Sequence, residues 1–228
     1  MCTVVVRWSL GQPLQVLALR EELVGREFDD PGPWWSEQPT VIGGRDRVAG
    51  GSWCVTDVAT GTAALVLNRP QRRVAAEGAP SRGVLPLLAV RHGERWPQAV
   101  DTAGMASFAL VLAGPTGVRQ WVFDGELLTS SVLGEGMHMV TSGGAEDGKS
   151  ERYLDGFAGA GTAEDWRVLV QAQAPQDDPA ALVVRHEQAG CVFATVFGQV
   201  FTATAGRLVV SASREPWRAG SWTERVWS

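Results

Sequence analysis

The sequence is almost without lysine and asparagine: Lys149 and Asn68 stand alone. Arginine supplies every other basic side chain, a bias of the kind GC-rich bacterial coding produces. Three cysteines (Cys2, Cys54, Cys191) form no CxxC pair and no even set, which argues against a disulfide framework or a structural zinc site. Three widely separated histidines (His92, His138, His186) give no metal-ligand spacing. No apolar run reaches the roughly 18 residues of a bilayer span, so no membrane crossing is expected. No basic start followed by an apolar stretch and a small-residue cleavage site is seen, so no secretory leader is expected either. A cytoplasmic location follows as the default. The net charge of −5 and pI near 5.3 speak against a nucleic-acid partner, which needs a clustered basic face.

What is present suits a globular chain. Hydrophobic residues make up 45% and charged residues 20%, enough to fill one core. With no repeat and no linker, residues 1–228 read as one domain. Residues 3–8 and 14–19 read as strands joined by a turn at Gly11-Gln12-Pro13. Residues 52–58 and 62–67 form a second hairpin pattern, with further strands expected at 108–112, 118–123, 127–132, 191–203, 207–212 and 221–227. Helices are expected at 84–90, 96–103 and 163–174. The stretch FDDPGPWWSEQP reads as irregular, and GEGMHMVTSGGAEDG as a Gly-rich loop. Hairpins at both ends with helices between them indicate an α+β layered fold rather than alternating βαβ units.

Cysteine at position two is the feature with chemical content. Initiator methionine is normally removed before a small residue, which would leave Cys2 with a thiol and a free α-amine. The reference pKa of such an amine, about 7.7–8.0, lets it take a proton near neutrality. One residue then supplies nucleophile and base.

The segments MCTVVVRW, LALREEL, GGSWCV and ALVLNRP occur in an order and spacing that resemble the Asn-Arg-Asp-Glu (NRDE) family, which includes transport and Golgi organisation proteins. SRG at 81–83, GEGMHMVTSG and CVFATV resemble further family segments. The resemblance implies an N-terminal-nucleophile hydrolase fold: a four-layer αββα sandwich of two mainly antiparallel sheets.

Site residues follow from the same comparison. Arg20 matches the signature arginine, and its guanidinium would favour the Cys2 thiolate. Glu21 and Glu22 stand at the acidic positions, where one could orient the α-amine. Strand alternation lets Arg20 and Glu22 share a face and sends Glu21 to the other. Asn68, at the end of an apolar strand, could donate its amide N–H to an oxyanion; as a residue before Arg69-Pro70 it also suits a turn. Trp53 and the Trp34-Trp35 pair are candidate walls of an apolar pocket, or simply core. Thr141 and Ser142 take the place of a Ser-Asn pair, and His138 lies in the same loop. Leu19 and Val196 replace an asparagine and an arginine, so two polar supports are missing.

Two functions follow from these residues. One is a cysteine amidohydrolase acting on a non-peptide C–N bond, with a small-molecule amide or acyl ligand and no cofactor. The other is a non-catalytic carrier on the same fold. The family's association with haem trafficking and lipid metabolism suggests haem or an acyl molecule as its cargo, with Met137, His138 and Met139 as candidate contacts.

Overall fold

The computed structural model describes residues 2–70, 75–144 and 148–228. Met1, whose removal would free the Cys2 amine, and residues 145–147 of the Gly-rich stretch lie outside the described residues.

Two antiparallel sheets form the centre. The first runs β10 (Gly136–Thr141), β1 (Thr3–Trp8), β2 (Leu14–Leu23), β12 (Cys191–Thr204), β13 (Arg207–Ser213) and β14 (Thr223–Trp227), with β11 (Arg185–Gln188) paired to the start of β12. The second runs in chain order: β3 (Phe28–Gly32), β4 (Val41–Asp46), β5 (Cys54–Asp57), β6 (Thr62–Asn68), β7 (Phe108–Gly114), β8 (Gly117–Phe123) and β9 (Leu128–Leu133).

Side-chain alternation explains the layers. On β1 and β2, Val4, Val6, Trp8, Leu14, Val16 and Ala18 face the second sheet, while Val5, Leu17 and Leu19 face outward. That outer face is covered by α2 (Lys149–Gly159) and α3 (Ala163–Gln171), through Phe157, Trp166 and Val170. The second sheet does the same: Leu65, Leu67, Ala109 and Val111 point inward, and Val66, Phe108 and Leu110 meet α1 (Leu85–His92). Strands buried on both faces need apolar residues at nearly every position, as β7 has. The layer order is therefore αββα.

Caps fix the outer helices. Thr162 and Asp165 exchange bonds at the start of α3, with Asp165 N donating to Thr162 Oγ1 at 3.1 Å and Thr162 N to Asp165 Oδ2 at 2.8 Å. Arg7 on β1 donates to Phe157 O and Gly161 O at the end of α2, satisfying carbonyls that a helix terminus leaves open.

Several local expectations differ from what is found. The Gly-rich loop contains β10, an edge strand paired with β1. The irregular FDDPG is β3, also an edge strand, where Pro31 is tolerated because its missing N–H faces no neighbour. The helix expected at 96–103 is instead a 3₁₀ segment at Gly93–Gln98, with Pro97 inside it. Helix α2 went unexpected.

Candidate functional site

The site is assembled where β1 and β2 end. Pairing of β1 with β10 continues one residue past Thr3: Ser142 N donates to Cys2 O at 3.0 Å, and Cys2 N donates to Ser142 Oγ at 2.7 Å. The Cys2 nitrogen is here a peptide N–H. With Met1 removed, the same atom would be the α-amine against the same hydroxyl. The thiol donates weakly to Glu21 O, with Sγ 3.8 Å away. Cys2 is thus held at both its nitrogen and its sulfur.

On β2 the alternation holds. Arg20 and Glu22 share the face toward the second sheet, with Arg20 Nη2 3.4 Å from Glu22 Oε2 and 3.0 Å from Asp46 Oδ2. Asp46 also takes Arg26 Nε at 2.7 Å and the N–H groups of Val48 and Ala49. Glu21 turns toward the helix layer, where Lys149 Nζ meets its Oε1 at 2.7 Å and Thr3 Oγ1 at 3.2 Å. Arg20 Cζ lies 4.4 Å from the centre of the Trp53 ring, a cation–π contact.

Two glycine contacts make room for this. A Cβ on Gly44 would stand 2.3 Å from the Trp53 ring, so only glycine lets that ring settle against β4. A Cβ on Gly51 would strike the Gly83 backbone at 2.4 Å; this close approach, sealed by Ser52 N donating to Gly83 O at 2.8 Å, delivers Arg82 to the site. Arg82 in turn donates to Ser107 O at 2.9 Å.

Cys2, Arg20, Glu21, Glu22, Trp53 and Asn68 line one cavity of about 200 Å³, together with Arg26, Asp46, Ser52 and Arg82. Ser142 is not part of that lining and meets it through its two hydrogen bonds with Cys2. Three expected residues lie elsewhere. Thr141 bonds Gly144 O at 3.0 Å and borders a different depression with Gln120 and Glu151. Trp34 is exposed, donating to Asp30 O and stacked by Arg45. His138 has Nε2 at 2.7 Å from Gly134 O. Met137 and Met139 pack on the opposite face of β10, in the layer beneath α2 and α3, so the three side chains do not converge on one iron.

Electrostatics alter one expectation. Burial and then the Glu21 charge push the Cys2 thiol up, and the opposing pull of Arg20 is smaller. Burial lowers the Arg20 and Arg82 guanidinium values, opposed at Arg20 by Glu22, Asp46 and Cys2 and at Arg82 by Cys2 and Glu22. Burial also raises Asp46, but the Arg26 hydrogen bond, the Ala49 N–H and the charges of Arg26 and Arg20 outweigh it and hold the carboxyl below its usual range. Arg20 Nη1 is buried without a hydrogen-bond partner among the described residues.

Asp46, Arg26 and Lys149 were not foreseen. RDR at 45–47 follows a Gly-Gly strand, and the solitary lysine stood out by composition, but neither pattern reveals a partner distant in sequence. Leu19 packs beneath the helix layer, and Val196 lies at a bulge where β12 shifts register against β2.

Residues 1–117 match the family Transport and Golgi organisation 2. The chain belongs to that family. The matched stretch includes every residue lining the Cys2 cavity and excludes Ser142 and Lys149. No curated protein sequence matches the chain. Among solved structures, an N-acylethanolamine-hydrolyzing acid amidase ortholog from Caenorhabditis elegans aligns over 97% of this chain and 95% of its own, at 8% identity and a TM-score of 0.39. So slight a likeness adds nothing to the layer order of this Transport and Golgi organisation 2 family member, which its own strands already define. Among the described residues no helix is long and apolar enough to cross a membrane, and no cluster of three His, Cys, Asp or Glu side chains is arranged to hold a metal.

Proposed function

We propose that this chain is a cysteine amidohydrolase acting on a non-peptide C–N bond. Loss of Met1 exposes the α-amine of Cys2. That amine takes the thiol proton as sulfur attacks the carbonyl carbon, and Asn68 with a backbone N–H steadies the oxyanion. The amine then passes its proton to the leaving nitrogen. Water attacks the resulting thioester and releases the acid. Arg20, with one buried N–H unmet, offers a positive charge beside the reacting sulfur.

One observation carries the reading: the Cys2 nitrogen is fixed at 2.7 Å by Ser142 Oγ while its side chain borders a cavity shared with Arg20, Asn68 and Arg82. A non-catalytic carrier is the second reading. It is favoured by the raised pKa of the buried thiol, which keeps sulfur protonated at neutral pH unless the amine acts.

The test uses 2-cyanobenzothiazole, which condenses with a terminal aminothiol. The purified protein is expected to gain one adduct, absent from Cys2→Ser, and to hydrolyse a short acyl p-nitroanilide that Cys2→Ser leaves intact. Retained Met1, or adduct formation without hydrolysis across a panel of acyl amides, would overturn the hydrolase and leave the carrier.

A further inference from the structure

A second cavity, of about 240 Å³, opens between the edge strands β3 and β14 of the two sheets. Its apolar lining comes from Pro31, Phe197, Val210, Ala212 and Trp227. Phe197 and Val210 are only 1% and 4% exposed, so the floor is the inter-sheet core itself. Polar groups surround that floor, from the buried Ser213, whose Oγ lies 2.7 Å from Ser221 Oγ, out to the mouth. There Arg214, following β13, pairs with Asp30 of β3 at 2.9 Å and ties the sheets together across the mouth.

This cavity backs onto the Cys2 cavity. Phe28, Trp53 and Phe197 meet edge to face at 5.4, 5.5 and 5.8 Å between ring centres. Trp53 lines the first cavity and Phe197 the second. Arg20 from the first and Arg214 from the second both lie over the Phe28 ring, at 5.1 and 4.3 Å. The partition is one layer of aromatic rings, with guanidinium groups over Phe28 and Trp53 and the Phe197 ring facing the second cavity. A concave space with an apolar floor and polar groups around it suits the apolar part of a small molecule. Its volume of about 240 Å³ leaves room for a chain of several carbons.

We propose that the β3–β14 cavity receives the apolar acyl arm, of medium length, of the molecule whose carbonyl is presented to Cys2. This rests on the hydrolase reading above and adds its substrate class. The polar Cys2 cavity, bordered by three arginines and the acidic groups that pair with them, takes the amide and its leaving group. The arm crosses the partition by displacing the Phe197 ring.

The experiment compares acetyl and octanoyl p-nitroanilide on the wild-type chain and on Ala212→Trp, which fills the cavity from β13. Thr223→Trp, at an exposed position of the same lining, is the second variant should Ala212→Trp fail to fold. Each buried methylene is worth about fourfold in binding. The octanoyl substrate is therefore expected to exceed the acetyl one at least tenfold in kcat/KM, and the tryptophan variants to erase that preference while sparing acetyl turnover. Acetyl turnover with no chain preference, or a preference untouched by both variants, overturns the acyl site and leaves the hydrolase standing. If neither substrate turns over, calorimetric titration with octanoyl p-nitroanilide decides. Binding lost in the tryptophan variants supports the site, and absent or unaltered binding overturns it.

Discussion

Lys149 Nζ stands 2.7 Å from Glu21 Oε1, and both side chains are closed to solvent. The only lysine in the chain thus joins the start of α2 to the two strands that carry Cys2, since the same ammonium also reaches Thr3 Oγ1. Removing one partner of a buried ion pair costs about 3–5 kcal/mol. Lys149→Met is expected to lose stability of that order in urea denaturation. Lys149→Met with Glu21→Leu should recover most of the loss. Equal losses in the single and double variants would show that the pair matters only as packing.

Thiol reactivity has a definite order. Cys191 is exposed, Cys2 partly so, and burial pushes the Cys54 thiol far up. Iodoacetamide at pH 8 is expected to modify Cys191 first, Cys2 next and Cys54 last, followed by peptide mass spectrometry. The Glu21 charge helps raise the Cys2 pKa. Glu21→Gln should therefore move the pH midpoint of Cys2 alkylation down, and Arg20→Gln should move it up. No movement in either variant would mean that burial alone sets the value.

Asp46 ties acid stability to the site. Its folded pKa is depressed, so its contribution is present above the unfolded value of about 3.9 and disappears as pH falls through the folded value. Asp46→Asn is expected to cost about 2 kcal/mol at pH 7, the worth of a hydrogen bond to a charged group, and to flatten the loss of stability below pH about 4. Circular dichroism melts across pH 3–7 (about that span) measure both. An unchanged acid limb would assign the pH dependence to other carboxylates, such as Asp29 with Arg45 and Arg47.

Asn68 ends β6 at the cavity and is exposed. If it donates to the oxyanion, Asn68→Ala should lower kcat by about 10²–10³-fold with little change in KM. A rise in KM at constant kcat would make it a binding contact instead.

Local patterning made much of the fold legible. The alternation of β1 and β2, and its prolongation through Arg20 and Glu22, could be read directly because a strand's period is two. Helix α3 was expected at 163–174 from the spacing of Trp166, Leu169 and Val170, and is found at Ala163–Gln171. Helix α2 was not expected: KSERYLDGFAG has few apolar residues and internal glycines that lower helix propensity. Strand β10 was hidden because its pairing partner lies more than a hundred residues away in β1, and nothing in GMHMVT records that. The same holds for the site. Cys2, Arg20, Glu22, Trp53 and Asn68 could be proposed from segment order, whereas Asp46 and Lys149 act only through partners brought near by folding. The expected thiolate-favouring arginine was real, but depth and the Glu21 charge outweighed it.

Because Lys149 is fully enclosed, reagents aimed at side-chain amines find no lysine to couple on the folded surface. Under the hydrolase reading, in which Met1 is removed, the primary amine left for such coupling belongs to Cys2. A sensor chip or resin loaded through amines would then tether the molecule by its proposed nucleophile, and a silent immobilised sample would reflect the attachment chemistry rather than the protein.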